Sequence, residues 1–253
     1  MWKNDRLTHA AEWLLDVIYP PRCPYCGQVL ATGERTCSTC SAERWRISGP
    51  RCLRCGRNKR DCTCSAGHPK YYQALAAPFY FGGEIRSAIY RLKREYSPVR
   101  GLSDEMCATF DSTYAGVPFD WITSVPLSIK KRRERGFNQS QELARRISIH
   151  TGIPYRDLLT KRMETQVQHH LAAEERRANV LGAYDLCPGA PVAGKRILLV
   201  DDVFTTGSTV TECAKMIMFG GAESVHILCA AITLPVKRNI GLTKVNNSSS
   251  IML

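Results

Sequence analysis

Nowhere in its 253 residues does the chain carry a long uninterrupted apolar run. A membrane helix needs roughly 20 such residues, so none is expected here. The amino-terminal region includes Trp13-Leu14-Leu15, but Glu12 and Asp16 break the run, which leaves no adequate core for a secretory signal peptide. Acidic side chains are comparatively scarce: 23 Asp and Glu stand against 35 Lys and Arg, for a net charge of +12. That balance favours anionic partners, either phosphate groups or nucleic acid, without choosing between them. No internal repeat stands out beyond the cysteine pairs. A reducing cytoplasm is the expected location, and there paired cysteines are metal ligands rather than disulfides.

Cysteine is plentiful but unevenly placed. Eight of the twelve fall between Cys23 and Cys64, whereas Cys107, Cys187, Cys213 and Cys229 stand singly and read as core residues. Two regions with different construction rules follow. Residues 1–72 form an N-terminal helix and a Cys-rich zinc-ribbon module, residues 73–235 form a larger α/β domain, and residues 236–253 have no periodicity and are expected to be a disordered tail. Cys23-x-x-Cys26 and Cys37-x-x-Cys40 are two knuckles whose spacing brings four thiolates to one tetrahedral structural zinc. Cys52-x-x-Cys55 and Cys62-x-Cys64 supply a second zinc or complete an interleaved site with the first quartet. Arg51, Arg54, Arg57, Lys59 and Arg60 surround the second group, which suits either nucleic acid or an ordinary solvated face.

Beyond the module, residues 71–81 read as extended, with Gly82-Gly83 ending the segment, and residues 84–96 and 103–114 read as helices. Residues 119–126 form a buried strand that ends at Pro126 and runs into the basic segment Lys130-Lys131-Arg132-Arg133. Asn138 with Gln141 is a capping box for a helix over 139–149. A buried strand over 195–201, a helix over 208–219 and a strand over 224–233 complete the pattern. Strands alternating with helices imply a mostly parallel sheet covered on both faces.

The most informative stretch is ILLVDDVFTTGSTV, residues 197–210. Ligands of open parallel sheets sit beyond the carboxyl ends of strands, and Asp201-Asp202 stand where the apolar run stops. Thr205, Thr206, Gly207, Ser208 and Thr209 then open a helix, so hydroxyls and backbone N–H groups converge on a phosphate at its positive end. Two carboxylates beside a phosphate cradle must face a neutral part of the ligand, and vicinal sugar hydroxyls meet that need. Two rival motifs fail. Gly189-x-x-x-x-Gly194-Lys195 imitates a nucleotide loop, but Arg196 replaces the required Ser or Thr and a strand follows. The acidic pocket of response-regulator receivers leaves TTGST unexplained.

The strand, acid pair and TTGST loop resemble the signature of type I phosphoribosyltransferases, which bind 5-phosphoribosyl pyrophosphate. The resemblance implies that Asp201 and Asp202 hold the ribose 2′- and 3′-hydroxyls, that residues 205–209 hold the 5′-phosphate, and that Mg²⁺ is bound largely by the ligand. Arg135-Gly136-Phe137-Asn138-Gln139 after Ser124-Val125-Pro126-Leu127, with Thr165-x-x-Gln168-x-x-Leu171 and Arg176-x-x-Asn179, narrows it further. Together with the cysteine module, these motifs resemble the ComF family of phosphoribosyltransferase-like competence proteins, over residues 19–233. Arg94-Glu95 after Leu92-Lys93, where an aromatic residue is expected, is a minor departure.

This resemblance implies a phosphoribosyltransferase-like fold for 73–235. It also implies pyrophosphate contacts from Lys131, Arg133, Arg135 and Gln139, and a closing loop that carries Gln168 and Arg176. Adjacent His169 and His170 seldom face one ion and are not expected to bind metal. Two roles follow: a phosphoribosyltransferase that attaches the sugar to a nitrogen acceptor, or a non-catalytic factor that handles single-stranded DNA through the basic zinc module. A competence-machinery protein is a further partner that the resemblance suggests.

Overall fold

A computed structural model describes residues 20, 22–31, 33–34, 36–40, 45–64, 71–96, 98–162 and 182–235. The expected N-terminal helix, the tail at 236–253, and Gln168, His169, His170 and Arg176 lie outside these residues.

In chain order the larger domain comprises β1 (Ala74–Ala76), β2 (Phe79–Tyr80), α1 (Gly83–Leu92), α2 (Val99–Tyr114), β3 (Trp121–Ser124), α3 (Ile129–Arg135), α4 (Gln139–Thr151), β4 (Leu159–Lys161), β5 (Tyr184–Leu186), β6 (Arg196–Phe204), α5 (Ser208–Phe219) and β7 (Ser224–Ile232). The main sheet has the order β1-β7-β6-β3, with β2 also on β7, and all of these pairings are parallel. The segment at 71–81 is thus two short strands on one edge. Pro78 lies between them; it has no N–H to give to the ladder, and its carbonyl accepts from Ile47 N instead. β4 and β5 form a separate antiparallel pair.

β6 and β7 are buried on both faces, which explains why their sequences read as continuous apolar runs rather than alternating ones. Leu198, Val200, Leu228 and Ala230 face a core that also takes Ile85 and Ile89 of α1, Leu102 and Met106 of α2, and Leu143 and Ile147 of α4. Ile197, Leu199, Val225 and Ile227 face the opposite core, with Val210, Cys213 and Ile217 of α5 and Tyr184 of β5. Truncating a fully buried leucine such as Leu198 to alanine costs about 2–5 kcal/mol. The cysteine region joins the first of these cores through Cys23, Tyr25, Leu30 and Cys37.

One difference from the sequence reading shapes the site. β6 does not stop at Asp201 but continues to Phe204, because β7 is equally long and still pairs Val203 with Ala231 and Phe204 with Ile232. β3 ends earlier, with Ser124 opposite Val200. Asp201 and Asp202 therefore lie inside a strand but past the end of its neighbour, at a notch in the carboxyl edge of the sheet.

Candidate functional site

Both acids of the notch are nearly buried, Asp201 at 7% and Asp202 at 8% exposure. Each carboxylate accepts the N–H of the residue after it, Asp202 N at 2.9 Å and Val203 N at 2.7 Å. The first turn of α4 closes the notch: Ser140 Oγ donates to Asp201 Oδ1 at 3.0 Å and Gln139 Nε2 to Asp202 Oδ2 at 3.3 Å. Lys93, just past the end of α1, places its Nζ 3.5 Å from Asp202 Oδ2. Burial first, and the adjacent Asp202 charge second, push the Asp201 carboxyl well above the usual carboxylate range. A buried carboxyl that is costly to ionise, set at the carboxyl edge of a sheet, makes the notch a candidate site.

The loop after β6 takes the form that an anion needs. Gly207 has φ +81°, and a Cβ there would lie 2.6 Å from the Phe204 ring, so a side chain is excluded both by conformation and by space. Gly207 is also the N-cap of α5 and offers no side-chain cap to its first turn. Thr206 Oγ1 and Ser208 Oγ are 2.9 Å apart, so the two hydroxyls meet beside those N–H groups. The Tyr184 phenol lies near Thr209 and Asp201, and burial pushes it up strongly. Thr205 is exposed and its carbonyl accepts from Thr233 Oγ1 at 3.2 Å.

The basic segment after Pro126 is not a loop but the short helix α3, capped by the Ser128 side chain on Lys131 N and ended by Gly136 at φ +79°. Helical spacing separates its cations. Lys131 and Arg135 share a face, and Arg135 Nη1 donates to Gln139 Oε1 at 3.0 Å, which links it through Gln139 to Asp202. Arg133 is exposed and, two residues from either, falls on a different face. The expected capping box is half made: Asn138 Oδ1 accepts from Ser140 N at 3.1 Å, but Gln141 Nε2 turns to Asp157 at 3.1 Å. Asn138 Nδ2 also donates to Val125 O at 3.0 Å, tying the helix start to the end of β3.

The eight clustered cysteines resolve into two sequential quartets. Cys23, Cys26, Cys37 and Cys40 form one and Cys52, Cys55, Cys62 and Cys64 the other, and within each the sulfurs lie within 4.8 Å of one another. The interleaved alternative is ruled out. Zinc–sulfur bonds of about 2.3 Å in a tetrahedron put sulfurs about 3.8 Å apart, and Cys26 Sγ–Cys37 Sγ at 3.6 Å and Cys55 Sγ–Cys62 Sγ at 3.8 Å fit that spacing. Both quartets are therefore structural zinc sites. Of the singly placed cysteines, Cys107, Cys213 and Cys229 are buried, while Cys187 is only half-buried.

Residues 14–69 match the double zinc ribbon domain. A DNA utilization protein YhgH of Salmonella typhi is 33% identical over 85% of this chain and 98% of its own length. The competence protein ComFC of Streptococcus pneumoniae is 26% identical over 81% of this chain and 96% of its own. The chain belongs to the ComF family. A solved adenine phosphoribosyltransferase is similar to this ComF protein over 58% of the chain and 74% of its own, at 14% identity and a TM-score of 0.37. No helix among the described residues is long and apolar enough to cross a membrane.

Three participants in this ComF site had no local signal. Ser140 lies two residues past a recognisable cap, and only the fold turns it to Asp201. Lys93 reaches the acids from a helix more than a hundred positions away in sequence. Arg57 was grouped with a surface cluster, yet it is buried, and its Nε donates to Thr233 O at 2.9 Å, beside the loop after β6.

Proposed function

We propose that this protein binds 5-phosphoribosyl pyrophosphate with Mg²⁺ at the notch, in the service of DNA uptake or use. The observation that carries the reading is the buried acid pair beyond the end of β3, followed by a glycine-capped start of α5 at which the Thr206 and Ser208 hydroxyls converge. Asp201 and Asp202 take the ribose 2′- and 3′-hydroxyls, each exchanging an internal donor for a ligand hydroxyl. Thr205, Thr206, Gly207, Ser208 and Thr209 take the 5′-phosphate, where charge-assisted hydrogen bonds contribute about 1.5–3 kcal/mol each. Arg135, Lys131 and Gln139 line the approach for the pyrophosphate. Three of the four oxygens of the acid pair already serve Ser140, Gln139, Lys93 and the backbone, and the metal arrives on the ligand's own phosphates.

Transfer at such a site breaks the bond between C1 and the pyrophosphate oxygen and forms one from C1 to a nitrogen, which then loses its proton. The protein contributes position and electrostatics to an oxocarbenium-like state. Calorimetric titration of the Mg²⁺ complex of the ligand, with pyrophosphate release followed in parallel, tests this. Saturable binding that is lost in the Asp201→Asn, Asp202→Asn double variant supports the reading, and pyrophosphate release makes the protein an enzyme. No binding to folded, zinc-loaded wild type refutes it.

A nucleic-acid role for the second zinc ribbon is the other reading, favoured by the exposure of Lys59 and Arg60 and by relatives whose names refer to DNA utilization and competence. Arg57 is buried and committed to Thr233, so the cationic face is smaller than the sequence suggests. Single-strand affinity that falls with salt at a slope of about −0.7 per neutralised phosphate supports this role, and a flat salt dependence excludes it.

A further inference from the structure

A ligand that brings a pyrophosphate to two carboxylates has to find positive charge next to them, and Lys93 is already there. Its backbone is fixed: Leu92 before it is fully buried, and Arg91 holds Cys23 O at 3.2 Å and pairs with Glu95. Only the four-carbon stem can swing. The ammonium lies 3.5 Å from Asp202 Oδ2 and 5.7 Å from the centre of the Tyr90 ring, and the ring offers it a second resting place. The other groups facing the acids do not replace it. Ser140 and Gln139 of α4 are uncharged, and Arg135 of α3 acts through Gln139. Cys213 of α5, Cys229 of β7 and Tyr184 of β5 are all pushed up by burial and stay neutral.

We propose that Lys93 is the exchangeable counter-ion of the acid pair. In the empty site its ammonium neutralises Asp202; when the sugar binds, the ribose hydroxyls occupy the carboxylates and Lys93 passes to the pyrophosphate oxygens. This rests on the reading above that Asp201 and Asp202 hold a phosphoribosyl ligand. It makes Lys93 a binding residue for the pyrophosphate half of the ligand, supplied by α1 rather than by the basic helix α3. Without it, an anion would meet two buried acids with no adjacent cation, and charge-assisted bonds to phosphate are about twice as strong as neutral ones.

The test compares wild type, Lys93→Met and Lys93→Arg by titration with Mg²⁺-5-phosphoribosyl pyrophosphate and, separately, with ribose 5-phosphate. The exchange predicts that Lys93→Met weakens the pyrophosphate ligand by about tenfold or more, that ribose 5-phosphate loses clearly less, and that arginine restores most of the affinity. Equal losses for both ligands overturn the exchange, since Lys93 would then act on the acids alone. Unchanged affinity in Lys93→Met overturns the proposal while leaving the site reading intact. If wild type binds neither ligand, the site reading fails and the exchange with it, and thermal unfolding then decides the counter-ion half. Asp201 is raised in the folded state, so stability falls as pH rises above the ordinary aspartate range, and removing the ammonium deepens that fall. The melting-temperature gap between wild type and Lys93→Met should widen from about pH 5 to about pH 8; a constant gap overturns the counter-ion as well.

Discussion

In the first zinc ribbon Cys23 N donates to Gln28 O and Gly27 N to Cys23 O; in the second, Cys52 N donates to Arg57 O and Gly56 N to Cys52 O. The two Cys-x-x-Cys-Gly knuckles share one hydrogen-bond pattern, and both glycines have positive φ, +83° at Gly27 and +71° at Gly56. Their surroundings differ. The first knuckle rests on helices: the Arg91 guanidinium of α1 lies over Gly27, and Pro24 packs against Gly101 of α2. The second rests on the sheet: Gly56 fits against Leu75 and Ile232, Leu75 N donates to Leu53 O, and Arg57 holds Thr233 O. Thr233 N in turn donates to Phe204 O, and its hydroxyl to Thr205 O. The same metal knuckle thus braces the helical layer in one case and the loop after β6 in the other.

Losing a metal is the strongest way to test that contrast, because structural zinc contributes about 10–16 kcal/mol of apparent binding free energy to a folded ribbon. Cys26→Ser and Cys55→Ser should each release one zinc and lower the melting temperature. Cys55→Ser should in addition weaken ligand binding, because its ribbon ends one residue chain away from Thr205. Metal content, melting curves and titration on the same samples read all three. Equal effects of the two variants on ligand affinity would show that the second ribbon is no more tied to the loop than the first.

The contrast was half legible in the sequence. Knuckles, the acid pair and TTGST are local patterns, in which chemistry and spacing sit within a few residues, so the parallel sheet, the first zinc quartet and the loop could be read directly, while the second quartet stayed open against an interleaved site. What was missed depends on which element ends where. β6 outruns β3 because β7 supports it, a fact about three strands that no window of one strand contains. The basic run became a helix because Ser128 caps it and Gly136 stops it, and this divided cations that a loop would have left equivalent. Arg57 looked like its basic neighbours, and only the strand end lying above it distinguishes it from them.

The glycines give a finer test. Alanine at either position adopts a left-handed conformation at a cost of about 1–2 kcal/mol. At Gly27 the new methyl would meet the Arg91 guanidinium at 2.8 Å, the far end of a flexible chain. At Gly56 it would meet Leu75 Cδ2 at 2.4 Å, Ile232 Cδ1 at 2.5 Å and the Leu75 carbonyl at 3.1 Å, and the carbonyl belongs to a strand that cannot withdraw. Gly56→Ala should therefore destabilise by the conformational cost and about 1–3 kcal/mol more for overpacking, measured by chemical denaturation. Equal losses at the two sites would mean that the sheet edge yields as readily as an arginine.

The smallest effect isolates one bond in each ribbon. Arg57→Ala removes a buried cation and its bond to Thr233 O, worth about 1.5–3 kcal/mol. Arg91→Ala removes a longer bond to Cys23 O, at 3.2 Å, together with a partly exposed pair to Glu95, and exposed pairs contribute only about 0–1 kcal/mol. Arg57→Ala should thus lower stability more. It should also raise amide exchange at Thr233, whose N–H donates to Phe204 O, because the carbonyl that Arg57 held belongs to the same residue. Arg91→Ala should instead loosen the turn at Lys93, on the opposite side of the acid pair in sequence from Thr233. If Arg57→Ala left exchange at Thr233 unchanged, the sheet alone would suffice to hold the loop after β6, and the second ribbon's proximity to it would carry no mechanical consequence.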